Sequence, residues 1–221
     1  MIAGASGEDG PGNTTQDAGA AYLFVRSGTA WAQQAYLKGS NTSAGDLLGT
    51  KVSISGDGDT VAIGATGEDN GGTITDSGAV YVFTRSGVTW TQQQRLKAAN
   101  AGVSDVFGIA VAISNDGNTI AIGAAGEDSN ATGINEDSTN ESANESGAAY
   151  VFTRSGGNWS QRAFLKAPNT DAGDSFGFHG IALSGDGDTL AVGALGEQST
   201  ATGIGGDQSD NSGGSGAVYL Y

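Results

Sequence analysis

The feature that most constrains this chain is its self-similarity. Tyr22, Tyr81, Tyr150 and Tyr219 recur at spacings of 59, 69 and 69 residues, and Trp31, Trp90 and Trp159 each follow a member of that series by nine. Lys38, Lys97 and Lys166 close the same segments. The hexapeptide SGDGDT at residues 55–60 returns as SNDGNT at 114–119 and as SGDGDT at 184–189. Gly-Glu-Asp at residues 7–9, 67–69 and 126–128 becomes Gly-Glu-Gln at 196–198. A period of this length means one supersecondary unit used several times, each copy burying its apolar face against its neighbours.

Alternation of apolar and polar residues, bounded by turn formers, predicts four strands in each unit. The first covers residues 51–55, with counterparts at 109–114 and 181–184. A tight Asp-Gly turn leads to the second, at 60–65, 119–124 and 189–194, where small residues on one side call for close packing against a neighbouring sheet. A loop of variable length precedes the third, at 79–85, 148–154 and 217–221. Arg-Ser-Gly then turns the chain into the fourth, at 89–97 and 158–166. Glycine interrupts every helical candidate, and no window keeps apolar residues at i, i+3, i+4 and i+7 for three turns.

The expected fold class is therefore all-β, a β-propeller built of four-stranded antiparallel blades of about 59–70 residues. A β-solenoid is the runner-up, but its coils are far shorter. The units run about 1–45, 46–104, 105–173 and 174–221 within a single domain. The chain opens inside the second strand of one unit and stops in the third strand of another, so the end pieces do not sum to one blade. This points to a partial propeller, a segment of a longer one. A small closed ring with two three-stranded blades, or self-association through open blade edges, are the alternatives.

Composition narrows the function classes. Thirty-nine glycines against two prolines fit many tight turns. A net charge of −15 repels phosphate backbones and anionic lipid heads, which disfavours nucleic acid and membrane-surface partners. Without cysteine there is no disulfide, thiolate metal site or cysteine nucleophile. These residues hold neither an apolar run of membrane-spanning length nor a signal peptide pattern. GxSxG, HExxH, P-loop and dinucleotide fingerprints are all missing, and the single histidine, His179, lacks a partner at diagnostic spacing, so no enzyme is expected.

Three side-chain sets could still carry function. Asp46, Asp105 and Asp174 each precede a Phe/Leu-Gly step by two residues, where an aspartate is expected to cap a turn by accepting backbone N–H bonds. The one-per-unit tryptophans fit packing between blades better than sugar stacking. The carboxylates after the second strand continue into an acidic insert in the third unit, and Glu127, Asp128, Glu136 and Asp137 offer the hard oxygens that suit calcium. The matching insert of the last unit carries Asp207 and Asp210.

Asp-Val-Phe-Gly at 105–108 with Ile-Ala-Ile-Gly-Ala-Ala at 120–125 resembles the FG-GAP repeat of integrin alpha-subunit propellers and their bacterial relatives. Asp-Ser-Phe-Gly at 174–177 with Ala-Val-Gly-Ala at 191–194 matches likewise, and Asp-Leu-Leu-Gly at 46–49 matches with Leu48 in the Phe place. Thr66, Ala125 and Leu195 replace the proline of the GAP element. The resemblance implies a propeller and an extracellular or cell-surface adhesion-type module with a protein or glycan ligand. A carbohydrate-binding lectin, or a propeller appended to a secreted enzyme, are the other readings. Family blades that bind calcium do so through a longer DxDxDG-type hairpin, for which the six-residue turns here supply too few ligands.

Overall fold

The hairpin that joins the first two strands of a unit is fixed by its own side chains. In the computed structural model, which describes residues 1–10, 12, 14–209 and 213–221, the Thr60 amide donates to Ser55 Oγ at 3.0 Å and the Asp59 amide to Asp57 Oδ1 at 2.9 Å. Ser55 Oγ donates to the same Asp57 oxygen, and Gly58 takes φ +75° to close the turn. Ser114 with Asp116, and Ser184 with Asp186, repeat the arrangement. The serine hydroxyls and turn amides hold Asp57 and Asp116 below the usual carboxylate range, so these are ionised acceptors consumed by the turn.

Fourteen strands result among the described residues. The first sheet is β1 (Ile2–Ala5), β2 (Ala20–Ser27) and β3 (Ala30–Leu37). The second is β4 (Leu48–Ile54), β5 (Thr60–Ala65), β6 (Ala79–Ser86) and β7 (Thr89–Leu96). The third is β8 (Ala110–Ile113), β9 (Thr119–Ala124), β10 (Ala148–Ser155) and β11 (Asn158–Leu165). The fourth is β12 (Phe176–Leu183), β13 (Leu190–Ala194) and β14 (Ala217–Leu220). All ladders within the sheets are antiparallel, and each sheet follows chain order. Three, four, four and three strands is the count the repeat pattern predicts, and the fold is a partial β-propeller.

One correction concerns the first strand of the second and fourth units, while that of the third, β8, lies within the predicted 109–114. Predicted to start at Lys51 and Ile181, it begins at Leu48 and Phe176 in β4 and β12, taking in the Phe/Leu-Gly step. The ladder slips between Leu48 and Lys51 and again between Phe176 and Ile181, and these irregular residues hide the strand from an alternation rule. The residue before each step is left-handed and is not glycine: Leu47 at φ 57°, Val106 at 50° and Ser175 at 52°. For a β-branched residue such as Val106 this conformation is costly and persists only where the surroundings impose it.

What imposes it is the preceding blade. The amides of Leu47, Val106 and Ser175 donate to the carbonyls of Asp17, Asp76 and Glu145 at 3.0, 3.1 and 3.0 Å. Gly19, Gly78 and Gly147 form isolated parallel bridges with Leu48, Phe107 and Phe176. The corner thus docks as backbone on one blade, while its Phe or Leu side chain is buried. Phe107 meets Tyr150 and Phe152 edge-on at centroid distances of 5.3 and 6.0 Å, and Phe176 meets Tyr219 at 5.7 Å. At the other end of the blades the hairpin turns bond in series, Gly56 N–H to the Asn115 carbonyl and Asn115 N–H to that of Gly185.

Close approach explains the Gly-Ala element. A Cβ on Gly4, Gly64 or Gly123 would lie 2.1, 2.2 or 2.1 Å from the carbonyl oxygen of Gly49, Gly108 or Gly177, the corner glycine of the next blade. Only hydrogen fits there. Of the three residues that stand in place of the GAP proline, Thr66 and Ala125 are buried and Leu195 is exposed.

Candidate functional site

The blade end that carries the variable loops is held by one repeated node. Glu68, 1% exposed, accepts from Lys97 at 3.0 Å and pairs with Arg95. Glu127 accepts from Lys166 at 2.7 Å, with Lys166 fully buried, and the half-buried pair of Glu8 and Lys38 closes at 2.8 Å in the first blade. Each lysine also donates within the loop root: Lys97 to Ser77 Oγ at 2.7 Å and Lys166 to Ser146 Oγ at 2.6 Å. Asparagines from the linker before each of the last three blades complete the node. Asn41, Asn100 and Asn169 donate to Glu68, Glu127 and Glu197 at 3.0, 3.1 and 2.9 Å, and their Oδ1 atoms accept from Tyr81, Tyr150 and Tyr219.

The electrostatics follow from burial. Desolvation pushes Lys97 and Lys166 below the usual ammonium range, opposed by the hydrogen bonds and charges of Glu68 and Glu127. Burial pushes the Glu68 carboxyl up, but the Lys97 hydrogen bond and charge, the Asn70 amide and Arg95 together hold it below its ordinary value. Sequence reading found the glutamate, lysine and tyrosine of this node but not the asparagines. Their spacings of 59 and 69 residues are those of the tyrosines, which is the signal that would have found them.

The four carboxylates read as calcium ligands are not gathered. Glu127 belongs to the node above. Asp128 Oδ1 accepts the Glu145 amide at 2.7 Å, clasping the two ends of its loop as Asp9 clasps Asp17 and Asp69 clasps Asp76. Asp137 accepts from the Thr139 amide and hydroxyl at 2.9 and 2.6 Å on the exposed loop surface, beside exposed Glu136. Among the described residues no three His, Cys, Asp or Glu side chains converge in a way that could hold a metal ion. In the last insert, Asp207 accepts the Ser209 amide, and Asp210 lies outside the described residues.

The acidic insert is nevertheless built, not merely solvated. The Asn135 amide donates to the Phe164 carbonyl, the Phe164 amide returns to Asn135 Oδ1, and the Lys166 amide donates to Gly133, so residues 133–135 lie along the edge of β11. Ala131 and Ala143 are buried beneath it. An excursion that pairs an outer strand and packs its own small side chains has the anatomy of a functional surface loop.

Asp46, Asp105 and Asp174 cap the turns between blades as expected. Their Oδ2 atoms accept the amides of Ser43, Gly102 and Asp171 at 2.7, 2.6 and 2.8 Å. Burial pushes Asp105 up to about 6, with the Gly102 amide opposing and Glu127, Glu141 and Asp128 adding to the rise. A carboxyl raised in this way contributes stability fully below its unfolded value near 3.8 and loses it as pH rises through about 6. Asparagine keeps the acceptor without the charge. Asp105→Asn is expected to raise stability by roughly 1–2 kcal/mol at pH 8 and by less at pH 5, which melting curves at the two pH values check.

The tryptophans clasp neighbouring blades. Trp90 Nε1 donates to Gln34 of β3 at 2.9 Å and Trp159 Nε1 to Gln93 of β7 at 2.8 Å, each beneath the guanidinium of Arg85 or Arg154. Trp31, in the first blade, is half exposed. His179 sits in the irregular part of β12, exposed, with its ring 4.0 Å from that of Phe178.

The FG-GAP repeat model matches residues 31–83 and 90–152, more than half of the chain. The chain belongs to the FG-GAP repeat family. Its Phe-Gly corners and Gly-Ala strands are the two halves of the contact between FG-GAP blades described above. No curated protein sequence matches it. Among solved structures it is similar to TolB from Acinetobacter baumannii, at 17% identity over 79% of this chain and 32% of that one, with a TM-score of 0.39. It is also similar to the tricorn protease, at 8% identity over 91% of this chain and 15% of that one, with a TM-score of 0.43. The chain thus spans a third or less of the length of either protein, and neither likeness bears on activity.

Proposed function

We propose that this FG-GAP chain is a non-enzymatic binding module of an extracellular or cell-surface protein, presenting the loops between the second and third strands of its blades to a protein or glycan partner. The observation that supports this reading is that the frame is constant and the loops are not. The same Glu-Lys node and Asp clasp root the loop at residues 66–78 and the loop at 125–147, yet the second is nearly twice as long and folds over the outer strand. Constant roots with variable tips are how a rigid scaffold carries recognition. The acidic surface suits a partner that is neutral or basic and disfavours nucleic acid.

The test is a loop exchange in which residues 129–144 are replaced by 70–75, leaving Asp128, Glu145 and the node in place. Wild type and exchange variant are compared on a glycan array and for binding to cell surfaces by flow cytometry. The reading expects binding by the wild type that falls at least tenfold in the variant while its melting temperature is kept. Binding that survives the exchange, or no binding on either platform, overturns it.

A further inference from the structure

Three blades show what their far face is for, and the fourth leaves that face open. In each of the first three, a glycine of the second strand (Gly4, Gly64, Gly123) meets the carbonyl of the next blade's corner glycine with no room for a Cβ. Gly193 is the counterpart in β13. Its backbone is not left-handed, and the nearest heavy atom to a Cβ there would be Gly180 Cα, at 3.6 Å. Among the described residues no atom comes close enough to a Cβ at this position to require glycine, so the residue is shaped for a backbone that they do not supply.

The surroundings agree. Leu195, Val218 and Leu220 are 71%, 71% and 73% exposed, whereas Ala125, Val80 and Val82 at the matching positions are 7%, 0% and 0% exposed. Phe178, Leu195, Ser215, Gly216 and Val218 line a groove of about 560 Å³ beside Gly193. Ser215 stands where Ser77 and Ser146 accept the amides of Phe107 and Phe176 at 3.2 and 3.0 Å. Exposed apolar area of this kind on a soluble protein marks an interaction site.

We infer that the outer face of the fourth blade is a docking site for the Phe/Leu-Gly corner of a further FG-GAP repeat, lying outside these residues. The occupant is identified by continuity with the three interfaces already formed: a left-handed residue, then Phe or Leu, then a glycine whose carbonyl lies on Gly193, with an apolar strand running over Val218 and Leu220. A second copy of this chain is a poor occupant, because Leu48-Gly49, Phe107-Gly108 and Phe176-Gly177 are each already seated on the blade before them.

The probe is a fluorescein-labelled synthetic peptide of residues 103–114, titrated into the intact protein and read by fluorescence anisotropy. Saturable binding is expected to wild type, at least tenfold weaker to Gly193→Val and to Leu195→Asp, and at least tenfold weaker for a peptide with aspartate in place of its phenylalanine. Leu195 is 71% exposed and a Cβ at Gly193 would meet nothing nearer than an ordinary van der Waals contact at 3.6 Å, so both variants are expected to melt with wild type, which separates lost docking from lost folding. Equal binding to the Gly193→Val variant, or none to wild type, overturns the inference. So does a wild-type dimer in light scattering that Gly193→Val dissolves, since the occupant is then a second copy.

Discussion

Replacing Lys166 with methionine is expected to lower the unfolding free energy by about 3–5 kcal/mol, because it strands a buried carboxylate. Lys166 is wholly buried and Glu127 nearly so, and the ammonium donates to both Glu127 and Ser146. For a chain of this size the melting temperature should fall by about 10 °C. Adding Glu127→Gln to the methionine variant should restore much of the loss, since the cost lies in the unpaired charge rather than in a missing attraction. Lys97→Met should cost less, because Lys97 is partly exposed and Arg95 still pairs with Glu68. Thermal and urea melts of the three variants check the order, and a Lys166→Met variant within about 1 kcal/mol of wild type would show that the node does not hold the loop root.

Gly123→Ala is expected to be at least as damaging for its size, costing about 3 kcal/mol or more for a single methyl group. The added carbon would sit 2.1 Å from the Gly177 carbonyl oxygen, a backbone atom that cannot swing aside. Relief requires the fourth blade to move off the third, breaking the bridge of Gly147 to Phe176 and the amide bonds of Ser175 and Phe176. The same change at Gly193, where the added carbon would come no nearer than an ordinary van der Waals contact of 3.6 Å, is expected to stay within about 0.5 kcal/mol of wild type. Denaturant melts of the pair give the comparison.

The repeated residues were easy to read because their reasons are local. Ser-x-Asp-Gly turns and alternating strands need no knowledge beyond ten neighbouring residues, and the count of three, four, four and three strands follows from laying such stretches on the repeat. The roles that the sequence left hidden are long-range. Glu127 looks like the start of an acidic loop, and its partner Lys166 stands 39 positions away on the outer strand. Val106 has no propensity for a left-handed backbone, and its conformation comes from the Asp76 carbonyl of the preceding blade. The order in the insert depends on Asn135 bonding twice to Phe164, a pairing that no composition rule for polar loops contains. The same distance explains why the carboxylates of one acidic stretch divide among an ion pair, a loop clasp and an exposed turn instead of forming one site.

At the centre of this account is a division of labour: repeated residues build the frame, and the unrepeated stretches are its accessible surface. Native-state hydrogen exchange measures that division residue by residue. The corner amides of Leu48, Phe107 and Phe176, each donating to the blade before it, should exchange among the slowest in the protein, and those of exposed Glu136, Asp137, Glu141 and Ser142 among the fastest. Corner amides that exchange as fast as the insert would contradict it, because the blades would then not be held together by the contact that gives the repeat its sequence.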